Sequence, residues 1–141
     1  MKIVIGADHA GFNYKEKIRE YLEANNIQYM DVGTYSTQSC DYPVIAKQAA
    51  ELVASGEADR GIIVCGSGIG VCIAANKVKG IRAANCNELF TAKSSRTHND
   101  ANVLCLGERV IDESTALSIV DTWLNTEFEG GRHRTRVEMI E

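Results

Sequence analysis

Apolar runs of strand length alternate with helix-periodic stretches along the whole chain, and no other feature restricts the fold as much. Lys2 to Ala7 predicts a strand, Phe12 to Ala24 an amphipathic helix and Gln28 to Val32 a second strand, completing a first βαβ unit. Pro43, the only proline, suits the first turn of a helix that runs to about Ser55. Gly61 to Cys65 then reads as a near-continuous apolar strand, the kind buried on both faces. Ile69 to Lys77 predicts a helix, Ile81 to Cys86 a strand, Glu88 to Arg96 a helix, Asn102 to Leu106 a fifth strand and Glu113 to Leu124 the helix after it. Short connections between buried strands imply right-handed crossovers, so the pattern predicts a three-layer α/β fold: a doubly wound, five-stranded parallel sheet of Rossmann-like type. Ligands of such folds bind beyond the carboxyl ends of the strands, where the strand order reverses. Asp8 and His9 follow the first strand and Cys65 to Gly70 the third. Arg132 to Ile140 comes after the last sheet element and is expected to be a helix that reaches another subunit.

Several functions are disfavoured by composition. At 141 residues the expectation is one domain, 1–141, long enough to bury a core without staples. No apolar run approaches the roughly 18 residues of a membrane span, so no membrane partner is expected. The opening MKIVIGADHAG lacks the apolar core and cleavage site of a signal peptide, which points to the cytoplasm. Five cysteines (Cys40, Cys65, Cys72, Cys86, Cys105) are odd in number and form no CxxC pair, arguing against a disulfide framework and against a zinc site. A net charge of -4 gives no bulk attraction to nucleic acid, although a local basic cluster at Arg132, His133, Arg134 and Arg136 suits a small anion.

The chemistry concentrates in Cys65-Gly66-Ser67-Gly68-Ile69-Gly70, a thiol at a strand end followed by alternating glycines that lead into a helix. Glycines let the backbone approach a ligand closely, and free N–H groups at a helix start stabilise negative charge. The same field is expected to raise the thiolate fraction of Cys65. A strand-end cysteine alone is more often packing than catalysis; the adjoining glycines favour chemistry. The dinucleotide pattern G-x-G-x-x-G fails, because glycines 66, 68 and 70 are followed by Val71. The pattern G-x-x-x-x-G-K-[ST] is absent, and no arginine follows Cys65 closely as a phosphatase-type loop would require. Of the three histidines, His9 beside Asp8 is a contact candidate in the expected crevice, His98 is as readily a helix-terminal cap as a ligand, and His133 reads as a solvated part of the basic tail.

These residues resemble the ribose-5-phosphate isomerase B and galactose-6-phosphate isomerase family over nearly the whole chain. The resemblance rests on Gly6-Ala7-Asp8-His9-Ala10-Gly11-Phe12, Asp41-Tyr42-Pro43, the Cys65 to Gly70 loop, Ala74-Ala75-Asn76-Lys77, Gly80-Ile81-Arg82-Ala83-Ala84, Arg96-Thr97-His98-Asn99-Asp100-Ala101-Asn102-Val103, Gly107-Glu108-Arg109-Val110 and Glu129-Gly130-Gly131-Arg132-His133. It implies a cytoplasmic aldose–ketose isomerase of carbohydrate metabolism, in the pentose phosphate pathway, needing no metal or other cofactor. Cys65 is then the base that takes the carbon-2 proton to give a cis-enediolate, supported by the amides of Gly66, Gly68, Ile69 and Gly70 and by the Ser67 hydroxyl. The resemblance further implies that His98 opens the sugar ring, Asp8 and Tyr42 hold hydroxyls or the ring oxygen, Asn99 contacts the region of carbon 1, and His9, Arg109, Arg132 and Arg136 bind phosphate. Family members are dimers or tetramers with sites between subunits, so His98, Asn99 and Arg109 are expected to complete a neighbour's site. Ser67 stands where many relatives carry threonine and keeps the hydroxyl. The galactose 6-phosphate branch uses paired, different subunits that each lack part of this set. All of it is present here, which favours ribose 5-phosphate and a homo-oligomer, with allose 6-phosphate as a possible second substrate. A phosphate-binding module without catalysis is the alternative of another class, and it would have no need of Cys65 or His98.

Overall fold

The structure is a computed structural model that describes residues 1–140; Glu141, the end of the expected 1–141 span, lies outside the described residues. Five strands, β1 (Lys2–Ala7), β2 (Gln28–Asp31), β3 (Arg60–Cys65), β4 (Ala83–Asn85) and β5 (Val103–Gly107), form one all-parallel sheet in the order β2-β1-β3-β5-β4. The helices are α1 (Phe12–Ala24), α2 (Tyr42–Ala54), α3 (Ile69–Ala75), α4 (Leu89–Thr97), α5 (Glu113–Leu124) and α6 (Arg132–Glu138). The doubly wound α/β architecture expected from the alternation is present.

Period-two alternation in the central strands feeds two cores. Ile3, Ile5, Ile62, Val64, Leu104 and Leu106 point to one face, where Ile18 and Leu22 of α1, Ala92 of α4 and Trp123 of α5 cover them. Val4, Ile63, Cys65, Val103 and Cys105 point to the other, against Ala46 and Ala49 of α2 and Val71 and Ala74 of α3. The register sets Ile5 beside Ile62 and Ile62 beside Leu104, so one apolar row crosses the three central strands. At 25 cal/mol per Å², each such side chain withdrawn from water contributes about 1.5–3 kcal/mol. Helix α6 buries none of its residues in this chain.

Boundaries depart from expectation where polar side chains capture the backbone. Helix α3 stops at Ala75 instead of Lys77: Asn76 both accepts from the Ala83 N–H (2.8 Å) and donates to the Ala83 carbonyl (3.0 Å), tying the helix end to β4. Strand β4 is shorter than Ile81 to Cys86 because the Arg82 N–H donates to Asn102 Oδ1 at 2.8 Å. Helix α6 ends at Glu138, two residues short of Ile140. The amphipathic reading of α1 misses Lys15, which is fully buried and donates to Asp31 Oδ2 at 2.6 Å, joining the helix to the end of β2. No helix among the described residues is long and apolar enough to cross a membrane.

Asp112 caps α5 by accepting the Thr115 N–H at 2.8 Å, and hydrogen bonds from Thr115, side chain first and backbone second, hold its carboxyl below the usual carboxylate range. A lowered folded-state pKa stabilises the fold above the unfolded value of about 3.9 and loses that contribution as the pH falls through the lowered one. Asp112→Ala should therefore lower Tm by a few degrees at pH 7, and the gap to the parent should narrow in thermal scans as the pH drops below about 4.

Candidate active site

Strands β1 and β3 are neighbours, yet the helices that follow them leave to opposite faces of the sheet, α1 to one and α3 to the other. The loops diverge and leave a crevice of about 620 Å³, lined by Asp8, His9, Tyr42, Cys65, Ser67 and Arg109 together with Gly66, Ile69 and Gly70. Asp8 is buried, and its Oδ1 accepts the N–H groups of Ala10 (2.9 Å) and Gly11 (3.1 Å), fixing the turn that carries His9. His9 Nδ1 accepts the Cys40 N–H at 3.2 Å, which puts the ring hydrogen of the neutral tautomer on Nε2.

The loop after β3 is seated by close backbone packing. A Cβ on Gly107 would stand 2.5 Å from the Ser67 carbonyl oxygen, and one on Gly11 equally close to Val64, so these glycines let the loop rest on the ends of its neighbours. Gly68 has φ +80°, a conformation that suits glycine, and its N–H points at Cys65 Sγ from 3.1 Å. Gly68 is itself buried and is not among the residues that line the crevice. Ser67 Oγ accepts the Ile69 N–H at 3.1 Å, leaving the hydroxyl hydrogen free to donate outward. Tyr42, in the first turn of α2, lays its ring against Gly70, where a Cβ would meet the ring at 2.6 Å. The expectation that Arg109 completes a neighbour's site is corrected by its placement. The Glu108 N–H donates to the Cys65 carbonyl (2.9 Å) and the Arg109 N–H to that of Gly66 (3.0 Å), and the guanidinium lies against Gly66 of the same chain.

Among the described residues, Cys65 is the one cysteine lining the crevice. Cys72 is half-buried on α3, where a hydrogen bond with Cys105 brings its thiol down to about 7, while that bond and burial push Cys105 well up.

His98, Asn99, Arg132 and Arg136 do not line this crevice. His98 is the exposed C-cap residue of α4, Asn99 lines a separate cavity of about 650 Å³ with Arg82 and Ile140, and Arg132 and Arg136 are exposed on α6. His133, expected to be solvated, is instead half-buried: its ring stacks on that of His98, with centroids 4.4 Å apart and planes at 18°. Its Nε2 lies 3.4 Å from Glu129 Oε1. The i, i+4 spacing of Glu129 and His133 was the available signal, but only the fold brings His98 onto them.

The profile of the Ribose/Galactose Isomerase family matches residues 3–140. A ribose-5-phosphate isomerase B of Escherichia coli is 50% identical over 139 residues, covering 99% of this chain and 93% of that protein. The solved structure of the Clostridium thermocellum ribose-5-phosphate isomerase B superposes with a TM-score of 0.98 at 55% identity, over 99% of this chain and 95% of that one. The Mycoplasma genitalium ribose-5-phosphate isomerase B, solved with bound ribulose-5-phosphate, gives a TM-score of 0.95 at 42% identity, over 99% and 93%.

Gly107→Ala tests the seating of the loop. The added methyl has no space against the Ser67 backbone, so the variant should lose about 1–3 kcal/mol in urea unfolding. It should also lose most catalysis, as the Gly68 amide turns away from the sulfur.

Proposed function

The chain belongs to the ribose/galactose isomerase family and is an isomerase, and from that premise we propose that it interconverts ribose 5-phosphate and ribulose 5-phosphate through a cis-enediolate. The observation that carries the proposal is the Cys65 sulfur at the crevice, facing the Gly68 N–H at 3.1 Å. A charged sulfur accepts such a bond more strongly than a neutral thiol, which suits a base that cycles between the two. Cys65 removes the carbon-2 proton of the aldose and returns it at carbon 1. The amides of Gly66 and Gly70 and the free Ser67 hydroxyl hydrogen meet the oxygen on which charge develops, while the Gly68 N–H serves the sulfur and the Ile69 N–H holds the Ser67 hydroxyl. Asp8 has Oδ2 left for a sugar hydroxyl, since Oδ1 is spent on the turn, and Tyr42 closes the side of the crevice. His9 Nε2 and the Arg109 guanidinium take the phosphate.

His98, Asn99, Arg132 and Arg136 act in this reading from a second copy of the chain, in a homodimer or homotetramer that α6 helps to join. Support comes from the exposed apolar residues Ile69, Ile73 and Val110 at the crevice, which offer surface for that copy to cover. His98 opens the furanose ring and Asn99 lies near carbon 1, with Arg132 and Arg136 on the phosphate. The enzyme works as one sugar-phosphate isomerase domain, in the cytoplasm and without a cofactor.

Two isotope measurements test the chemistry. Ribulose 5-phosphate, which has no furanose to open, exchanges a carbon-1 hydrogen with D₂O whenever the base acts, whereas turnover of cyclic ribose 5-phosphate also requires the ring to be opened. Cys65→Ala should lose both by about 10²-fold or more, and full exchange in that variant would refute Cys65 as the base. His98→Asn should lose about tenfold in net conversion of cyclic ribose 5-phosphate, while deuterium wash-in at carbon 1 of ribulose 5-phosphate stays within about twofold. An equal loss in both would remove ring opening from His98.

A further inference from the structure

His133 and Glu129 have no part in the chemistry so far, yet they close a loop of contacts around His98. The Glu129 N–H donates to the carbonyl of Thr97, the residue before His98, at 3.1 Å. The Glu129 carboxylate then reaches His133 Nε2 at 3.4 Å, and the His133 ring covers the His98 ring at 4.4 Å. The segment carrying Glu129 is held from below. Buried Arg96 of α4 donates through Nε to the Thr126 carbonyl (3.1 Å) and through Nη1 to Asp100 Oδ1 (2.9 Å), clamping the chain on both sides of His98 to the start of that segment. On the far side, the Arg134 guanidinium sits 5.3 Å from the Phe128 ring centre and steadies the first turn of α6.

Two histidines and a carboxylate with ligand atoms within 4.8 Å of one another also invite a metal reading. The ring geometry opposes it. A metal sits near the plane of each imidazole, about 2.0–2.1 Å from the nitrogen. Planes stacked at 18° and 4.4 Å run side by side, and no point within that reach lies in both.

We propose that His133, held by Glu129, is a positioning residue that fixes the ring of His98 for its work on the sugar ring; this rests on the ring-opening reading of His98. An exposed histidine at a helix end samples several rotamers, and a flat partner stacked on one face selects among them. The carboxylate of Glu129 fixes the partner in turn, so the order passes from the Thr97 carbonyl through Glu129 and His133 to His98. His133 touches no reacting atom.

The test uses the full-length enzyme, following carbon-1 wash-in on ribulose 5-phosphate in D₂O and net conversion of cyclic ribose 5-phosphate for His98→Asn, His133→Ala, His133→Phe and Glu129→Gln. Removing the partner that orients a functional imidazole costs roughly 10–100-fold at metal sites. His133→Ala is accordingly expected to lose about tenfold in kcat for net conversion, with KM and wash-in within about twofold. His133→Phe, which keeps a flat ring, should recover to within about threefold of the parent, a rescue that general damage to the fold would not give. Glu129→Gln should fall between the two. Normal conversion by His133→Ala, or matched losses of conversion and wash-in, beside a selectively impaired His98→Asn, would overturn the positioning role alone. If His98→Asn itself loses both readouts equally, the ring-opening reading fails and this inference falls with it.

Discussion

The site depends on one topological constraint: neighbouring parallel strands whose crossovers go to opposite faces of the sheet. A right-handed crossover from β1 puts α1 on one face, and the one from β3 puts α3 on the other, so nothing fills the space above the two strand ends. Every residue of the crevice is positioned by its distance from that divergence. Asp8 and His9 come immediately after β1, and Cys65 is the last residue of β3. Strand pairing extends to Ala7 beside Val64, so the two chemical segments start level with each other.

Close packing then converts that opening into a defined shape. The loop after β3 rests on Gly107 and Gly11, where each missing side chain is replaced by backbone of the loop or its strand. The same turn at the end of β5 returns two N–H groups to the carbonyls of Cys65 and Gly66, so the peptide beside the sulfur is held from both sides. Asp8 divides its carboxylate in a related way: one oxygen holds the turn, the other is left for the crevice. Structural and chemical demands fall on the same few residues, which explains why the segment tolerates so little bulk.

Much of this was legible because the signals were local. Near-continuous apolar runs at Lys2 to Ala7 and Gly61 to Cys65 announce buried parallel strands, and a thiol, a hydroxyl and three glycines in six residues announce a loop that faces a ligand. What escaped depends on partners distant in sequence. Asn76 ends α3 early through Ala83, and Asn102 draws Arg82 out of β4; neither asparagine carries a mark of that role in its own neighbourhood. Lys15 reads as a surface charge until Asp31 is found beside it. The family resemblance alone groups Arg109 with His98, but the turn after β5 folds it back onto Gly66. The charges around His133 suggest a solvated ring, and its stacking on His98 is a consequence of where α6 begins.

The contrast between crevice and corner bears on the proposed pairing of two copies and on the proposed roles of Cys65 and His98. Proton transfer needs a dry, rigid sulfur, and the middle of a buried parallel sheet provides that. Opening a sugar ring needs an imidazole that can meet the outer end of the substrate, and an exposed helix terminus provides that, but its mobility must be restrained by something other than the core. Arg96 answers the second need. It is buried against Trp123 and bonded to the Thr126 and Ala101 carbonyls, so it anchors the α4 terminus and the strand of chain leading to α6 to the same core that holds β3. On the proposed reading, a single chain carries both devices on one rigid frame without bringing them together, and the proposed second copy is the simplest way for each crevice to receive the other's corner.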